Sequence, residues 1–197
     1  TSVDTVEAAE VLQQDLNKLC SWSIDWQMLF NVEKCKCVHF GSNNSKFEYK
    51  IDKETVTSCP DDLGVTVHQP LQSSVHCARI VKKANQVLGI IRRTYDDKSK
   101  ENAVQLYKSL VRPHLEYCVQ AWRPYLQKDI DNIEKVQRRA TKMIYGLGQL
   151  TYEERLRRTN LMSLELRRLR ADLLEVYKKM HNLECLSKED FFVMGNP

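Results

Sequence analysis

The sequence predicts an α+β chain that is mostly α, and three observations carry that reading. Short alternating runs fall between residues 35 and 67. From Leu71 onward apolar residues recur every three or four positions instead, the spacing of helices with one buried face. The charge divides at the same place. Residues 1–70 hold 6 Lys and no Arg against 11 acids, whereas residues 71–180 hold 23 Lys and Arg against 12 acids. A first module of one helix against a small antiparallel sheet is therefore followed by a basic helical module.

The first helix is read over about Val6 to Phe30, with Ala9, Leu12, Leu16, Leu19, Trp22 or Ser23, and Trp26 on one stripe. Asp4 is the expected N-cap, with Glu7 three residues on in the spacing of a capping box. Trp22 and Trp26 lie one turn apart, and a core role is favoured for them over base stacking. Asn31 to Lys34 reads as a turn. Strands are expected over Cys35–Phe40, Phe47–Ile51, around Val56 and over Leu63–Val67, with a turn from Gly41 to Ser45.

The helical part begins with a stripe of Val75, Ala78, Val81, Ala84, Leu88 and Ile91, ending at Arg92-Arg93. A polar link from Tyr95 to Lys98 leads to a helix capped at Ser99, with Ala103, Tyr107, Leu110 or Val111, Leu115 and Cys118 inward. Pro113 lacks a backbone donor and must kink or break this helix. The next helix spans about 127–145 and stops at Gly146 and Gly148. Ile130, Ile133, Val136, Ala140 and Ile144 form its apolar stripe, and Lys135, Arg138, Arg139 and Lys142 its basic face. Thr151 and Glu154 have capping-box spacing for a short helix. A last helix, Leu161 to Met180, is expected to turn Leu164, Leu169, Leu173, Val176 or Tyr177, and Met180 inward. The tail to Pro197 has no clear period.

Of the 197 residues, 42% are hydrophobic, enough for a core in one large domain or two small ones. Seven Cys, an odd number without a framework pattern, fit reduced thiols in an intracellular protein, nuclear or cytoplasmic. No apolar run approaches the ~18 residues of a membrane span, so no membrane partner is expected. The chain opens on Thr1 without a Met and is read as a piece of a longer protein.

Few residues invite catalytic readings. Asp61-Asp62 has turn composition beside Pro60 and Gly64. Asp96-Asp97 follows Tyr95, but two-metal chemistry needs rigidly held carboxylates, and this pair falls between helices where it caps the next one. Cys35, Cys37 and His39 share a strand face. They read either as buried thiols or as three zinc ligands with Cys59 or His76-Cys77 supplying the fourth. His114 has no nucleophile in view, and no glycine-rich phosphate loop is present.

Four stretches together resemble the reverse transcriptases of LINE-type, non-LTR retrotransposons, in the jockey-like branch. They are LQQDLNKLCSWSIDWQMLFNVEKCKCVHFG from Leu12, DLGVTV from Asp62, KANQVLGIIRRT from Lys83, and LYKSLVRPHLEYCVQAWRPYLQKDIDNIEKVQRRATKMIYGL from Leu106. The stretch YEERLRRTNLMSLELRRLRADLLEVYK from Tyr152 resembles the segment after the thumb. The resemblance implies a C-terminal part of the palm over 1–70, a helical thumb over 71–150, and a helical extension with its tail over 151–197. It implies that Lys34, in NVEKC, lies near the pyrophosphate leaving the incoming nucleotide. It also implies that Leu63, Gly64 and Val65 form the primer-grip turn. Nucleic acid is then the expected partner: an RNA template, a DNA primer and their hybrid duplex. Lys83, Arg92, Arg93, Arg138, Arg139 and Lys142 are the residues expected to hold it.

The family's Tyr/Phe-Ala-Asp-Asp strand, its first metal-binding aspartate and the fingers are not in this sequence. The chain is therefore expected to hold no metal and no other cofactor itself, with Mg²⁺ serving the complete enzyme, and to be inactive alone. The alternative is a non-catalytic scaffold or protein-interaction module derived from such an element. One continuous basic groove favours the first reading, and dispersal of the six cations favours the second.

Overall fold

A computed structural model describes residues 3, 5–40, 44, 46–66, 73–185 and 187–192. Asp4, Val67, Leu71 and most of the expected Gly41–Ser45 turn lie outside the described residues. The chain divides into two compact units, Thr1–His76 and Cys77–Pro197. The mostly α, α+β class is as the sequence predicts.

In the first unit α1 spans Val6–Asp25, shorter than the expected Val6 to Phe30. Its cap is Thr5, whose hydroxyl accepts from Ala8 N at 3.2 Å. Gln27 takes a positive φ of 55° and ends the run before Phe30. Ala9 is fully buried, but Trp22 and Trp26 are 45% and 66% exposed, so the core role expected of them is not what they have here. Their rings lean on each other instead, centroids 6.3 Å apart.

Among the described residues three two-stranded ladders stand where one antiparallel sheet is expected. β1 (Lys36–Cys37) pairs with β4 (Thr57–Ser58) in parallel. β2 (Lys50–Ile51) pairs with β3 (Glu54–Thr55), and β5 (Asp61–Asp62) with β6 (Val65–Thr66), both antiparallel. Two-residue turns explain the two hairpins. Asp52 and Lys53 have φ of 47° and 70°, and Leu63 and Gly64 have 44° and 86°; two positive φ values give the turn whose twist suits a tight hairpin. Gln13 of α1 extends the edge of β2: its amide donates to Lys50 O at 2.9 Å and accepts from Lys50 N at 2.8 Å.

In the second unit α2 (Ser74–Thr94), which begins in the first, runs into the bundle. Its buried stripe there is Cys77, Ile80, Ala84, Leu88 and Ile91, while Val75 and Ala78, expected inward, are exposed. The helix that follows is continuous from Lys100 to Glu116: α3 (Lys100–Leu106), a π turn over Tyr107–Val111, and α4 (Arg112–Glu116). Pro113 does not break it. The wider turn just before it, in which Arg112 N reaches back to Tyr107 O, takes up the proline, and Tyr107, Val111 and Leu115 all stay buried. α3 starts at N-cap Ser99, as expected, without a side-chain cap bond. Asp97 accepts from Ser99 N at 2.8 Å and from the Asn102 side-chain amide, which holds its carboxyl below the usual range, through the Ser99 backbone bond first.

A short α5 (Val119–Trp122) precedes α6 (Gln127–Lys142), whose Ile133, Val136 and Ala140 are buried while Lys135, Arg138, Arg139 and Lys142 face outward. Gly146, at φ 73°, follows. α7 (Tyr152–Thr159) starts with the expected capping box, Thr151 and Glu154 each accepting from the other's backbone N–H. Thr151→Ala should therefore lower stability by about 1 kcal/mol in urea unfolding.

α8 (Leu164–Met180) is turned opposite to expectation. Leu164 is buried, but Leu169, Leu173, Val176, Tyr177 and Met180 are exposed. Polar side chains hold the helix from its other face: Arg167 grips both oxygens of Glu116, and Arg123 pairs with Asp172. Periodicity marks which face is apolar, and here the paired charges decide which face turns in.

Candidate nucleic-acid interface

Two helices of the second unit form a basic cleft of about 550 Å³. α2 contributes Asn85, Leu88, Gly89 and Arg92, α6 contributes Arg139 and Lys142, and Met143 follows as the cap of α6. The α2 residues follow the i, i+3, i+4, i+7 spacing of one helix face, and Arg139 and Lys142 lie three apart, so each helix offers one face. Lys98, from the link after α2, completes the lining. Among the described residues four cations surround the space, and no carboxylate lines it. Leu88 and Met143 give it an apolar floor, and Gly89 keeps the floor open, since a Cβ there would meet nothing within 4 Å.

Two local bonds shape the cleft. Arg139 Nη1 donates to Asn85 Oδ1 at 3.0 Å, which ties α6 to α2 and orients the guanidinium. Tyr145 N donates to Lys98 O at 3.1 Å, and Tyr145 Oη to Asp96 O at 2.7 Å, so the link is fastened to the residues after α6. Arg92, Arg139 and Lys142 also lie in the last turns of their helices, where positive charge complements the dipole. That structural role accounts for part of their placement, though not for the absence of acids.

Of the six cations singled out in the sequence, Arg92, Arg139 and Lys142 meet in this cleft. Lys83 and Arg93 are exposed on α2 outside it. Arg138 lies over the Tyr152 ring, 4.6 Å from its centroid. Lys98, Asn85 and Gly89 were not foreseen. Lys98 carries no periodic signal, and the bonds from Tyr145, 47 positions on, to Lys98 O and Asp96 O bring it there.

The other sequence-predicted residues lie in the first unit. Lys34 ends a 3₁₀ turn, Val32–Lys34, capped by Asn31, whose side chain accepts from Lys34 N at 3.2 Å. Leu63 and Gly64 are the tip of the β5–β6 hairpin, with Leu63 84% exposed at positive φ and Val65 buried. Asp61 Oδ1 accepts from Thr66 Oγ1 at 2.7 Å across that hairpin. Cys37 Sγ lies 3.6 Å from His39 Nε2, and burial pushes the Cys37 thiol up. Among the described residues no group of three or more His, Cys, Asp and Glu is placed to hold a metal ion. No described helix is long and apolar enough to cross a membrane.

The chain is similar to the RNA-directed DNA polymerase from mobile element jockey of Drosophila funebris, with 24% identity over 152 residues. The match covers 72% of this chain and 16% of that protein, so the chain spans a small part of its relative's length. No family model and no solved structure matches it. The likeness supports a sequence related to a reverse transcriptase.

Proposed function

We propose that the chain is the part of a LINE-type, jockey-like RNA-directed DNA polymerase that ends the palm and forms the thumb, and that its basic cleft seats the sugar–phosphate backbone of a template–primer duplex. The cleft carries the reading: Arg92, Lys98, Arg139 and Lys142 around one space with no carboxylate among its lining. Phosphate contacts of this kind supply affinity and register without reading sequence. The space suits one strand of backbone crossing it, with the rest of the duplex outside. Lys34 and the Leu63–Val65 hairpin take the roles the resemblance gives them, near the leaving pyrophosphate and at the primer terminus.

Polymerisation uses paired metal ions about 4 Å apart on rigid carboxylates. The carboxylates here do not fit that demand. Asp61 is bonded to Thr66, and Asp97 to Ser99 and Asn102, so one carboxylate of each acidic pair is tied to local structure. The metal-binding residues belong in this reading to another part of the complete enzyme, which supplies the upstream palm, the fingers and the Mg²⁺. The chain alone should extend no primer on an RNA template with Mg²⁺ or Mn²⁺. Templated extension by pure protein would show that assignment to be mistaken.

The test of binding is titration of RNA–DNA hybrids of two unrelated sequences at several salt concentrations. Both should bind alike, and the log–log salt slope should be about −0.9 for each phosphate contact on a B-like duplex. No binding, or binding that ignores salt, would overturn the cleft's role. A second reading, a protein-interaction module derived from such an element, is favoured by the three cations outside the cleft, Lys83, Arg93 and Arg138.

A further inference from the structure

Helix α8 keeps an apolar strip on the face turned away from its bundle. Leu166, Leu169, Leu173, Val176 and Met180 are 48%, 43%, 61%, 42% and 38% exposed. Their steps are three, four, three, four, the seam of a heptad repeat, with Leu166, Leu173 and Met180 at a and Leu169 and Val176 at d. The opposite side packs into the bundle through buried Leu164 and Arg168 and the Arg167–Glu116 pair, and Arg123 holds Asp172 at the edge between the two faces. Nothing in the bundle needs the strip, and so much contiguous apolar surface on one helix marks a contact site.

The charges beside the strip select its occupant. Glu165, Asp172 and Lys179 fall at g, and Arg170 and Tyr177 at e. In a parallel pair each g residue faces the e residue five positions on in the other helix. Glu165 then meets Arg170 of the second copy, Asp172 meets Tyr177, and no like charges are opposed. In an antiparallel pair Glu165 approaches Lys179 of the second copy, but Arg170 approaches its own copy, and so does Asp172. We propose that this face is a self-association surface, on which two copies of the chain join through α8 as a short parallel coiled coil. The helix is already formed on its bundle, so a seam of about two heptads does not also bear the cost of nucleating helices.

Sedimentation velocity and light scattering on the full chain test this. The native chain should be a dimer at micromolar concentration. Leu169→Glu with Leu173→Glu should raise the dissociation constant by at least about a hundredfold, since each change acts in both copies. Helicity by circular dichroism should be unchanged, because both positions are exposed and Glu is a good helix former. Glu165→Arg alone and Arg170→Glu alone should each weaken the dimer several-fold, and mixing the two variants should restore it, opposite charges again facing each other. A monomeric native chain, an oligomer indifferent to the leucine changes, or charge variants that do not rescue each other would overturn the proposal.

Discussion

Glu134→Ala is expected to cost the helical unit about 3–5 kcal/mol, read as a fall in the urea midpoint at unchanged slope. Glu134 is buried on α6, and its carboxylate accepts from Leu164 N at 3.0 Å, from Glu165 N at 3.4 Å and from the Tyr152 hydroxyl. It thereby caps α8 from another helix, where the dipole favours an anion. Removing it strands three donors at a buried helix end, each costing roughly 1–3 kcal/mol unless water reaches it. Glu134→Gln keeps an acceptor of the same shape and should cost less than half as much. Gln137, fully buried one turn on, joins the same network: it accepts from the Tyr107 hydroxyl at 2.7 Å and donates to Met162 O at 2.9 Å and the Tyr152 hydroxyl at 2.9 Å. Burial pushes both phenols up from the ordinary value of 10. The folded state then holds protons that the unfolded chain releases, so this part of the stability is full below pH 10 and is lost as pH rises beyond it. A small effect for Glu134→Ala would mean that water replaces the carboxylate.

Arg92→Ala, Arg139→Ala and Lys142→Ala combined should weaken hybrid binding by on the order of a hundred- to a thousandfold near 50 mM salt, and flatten the salt slope by about 2–3. The helices should persist, because all three side chains point into the cleft and Ala favours helix. Lys83→Ala with Arg93→Ala removes nearly as much charge outside the cleft and should cost far less. Gly89→Glu separates charge count from location. Its side chain has open space to enter, and leaving Gly should raise helix stability by about 0.5–1 kcal/mol. A carboxylate among four cations should nonetheless occupy the phosphate's place. Binding that survives the triple change with its slope intact would remove the cleft from the account.

Legibility in the sequence followed the range of the forces involved. The α6 stripe from Ile133 to Ile144 and the Thr151–Glu154 box are local devices, and both stand as their spacing predicts. The Glu134 network was invisible, because its partners lie 18 to 31 positions away and no pattern marks a buried polar residue. On α8 the predicted inward stripe joins Leu164, which is buried, to Leu169, Leu173, Val176 and Met180, which are exposed, since period cannot tell a core from a free surface. In the first unit Asp52-Lys53 makes a tight turn without glycine, so the hairpin gave no signal. Three of the four cations of the cleft are legible, as Arg92, Arg139 and Lys142 sit on regular helix faces. Lys98 is not, because a link has no period.

The π turn over Tyr107–Val111 makes the length of this helix forgiving in one direction only. It closes on the fifth residue instead of the fourth, so it holds one residue more in nearly the same rotation as an ordinary turn. Deleting one residue from it would restore α pitch and leave Leu115 in the core and Glu116 beside Arg167, at the cost of the room that Pro113 uses. An added residue has no such slack: an α-helix advances about 100° per residue, and everything after the insertion would swing by that angle. Between Tyr107 and Pro113 single-codon deletions should therefore be tolerated far better than single-codon insertions.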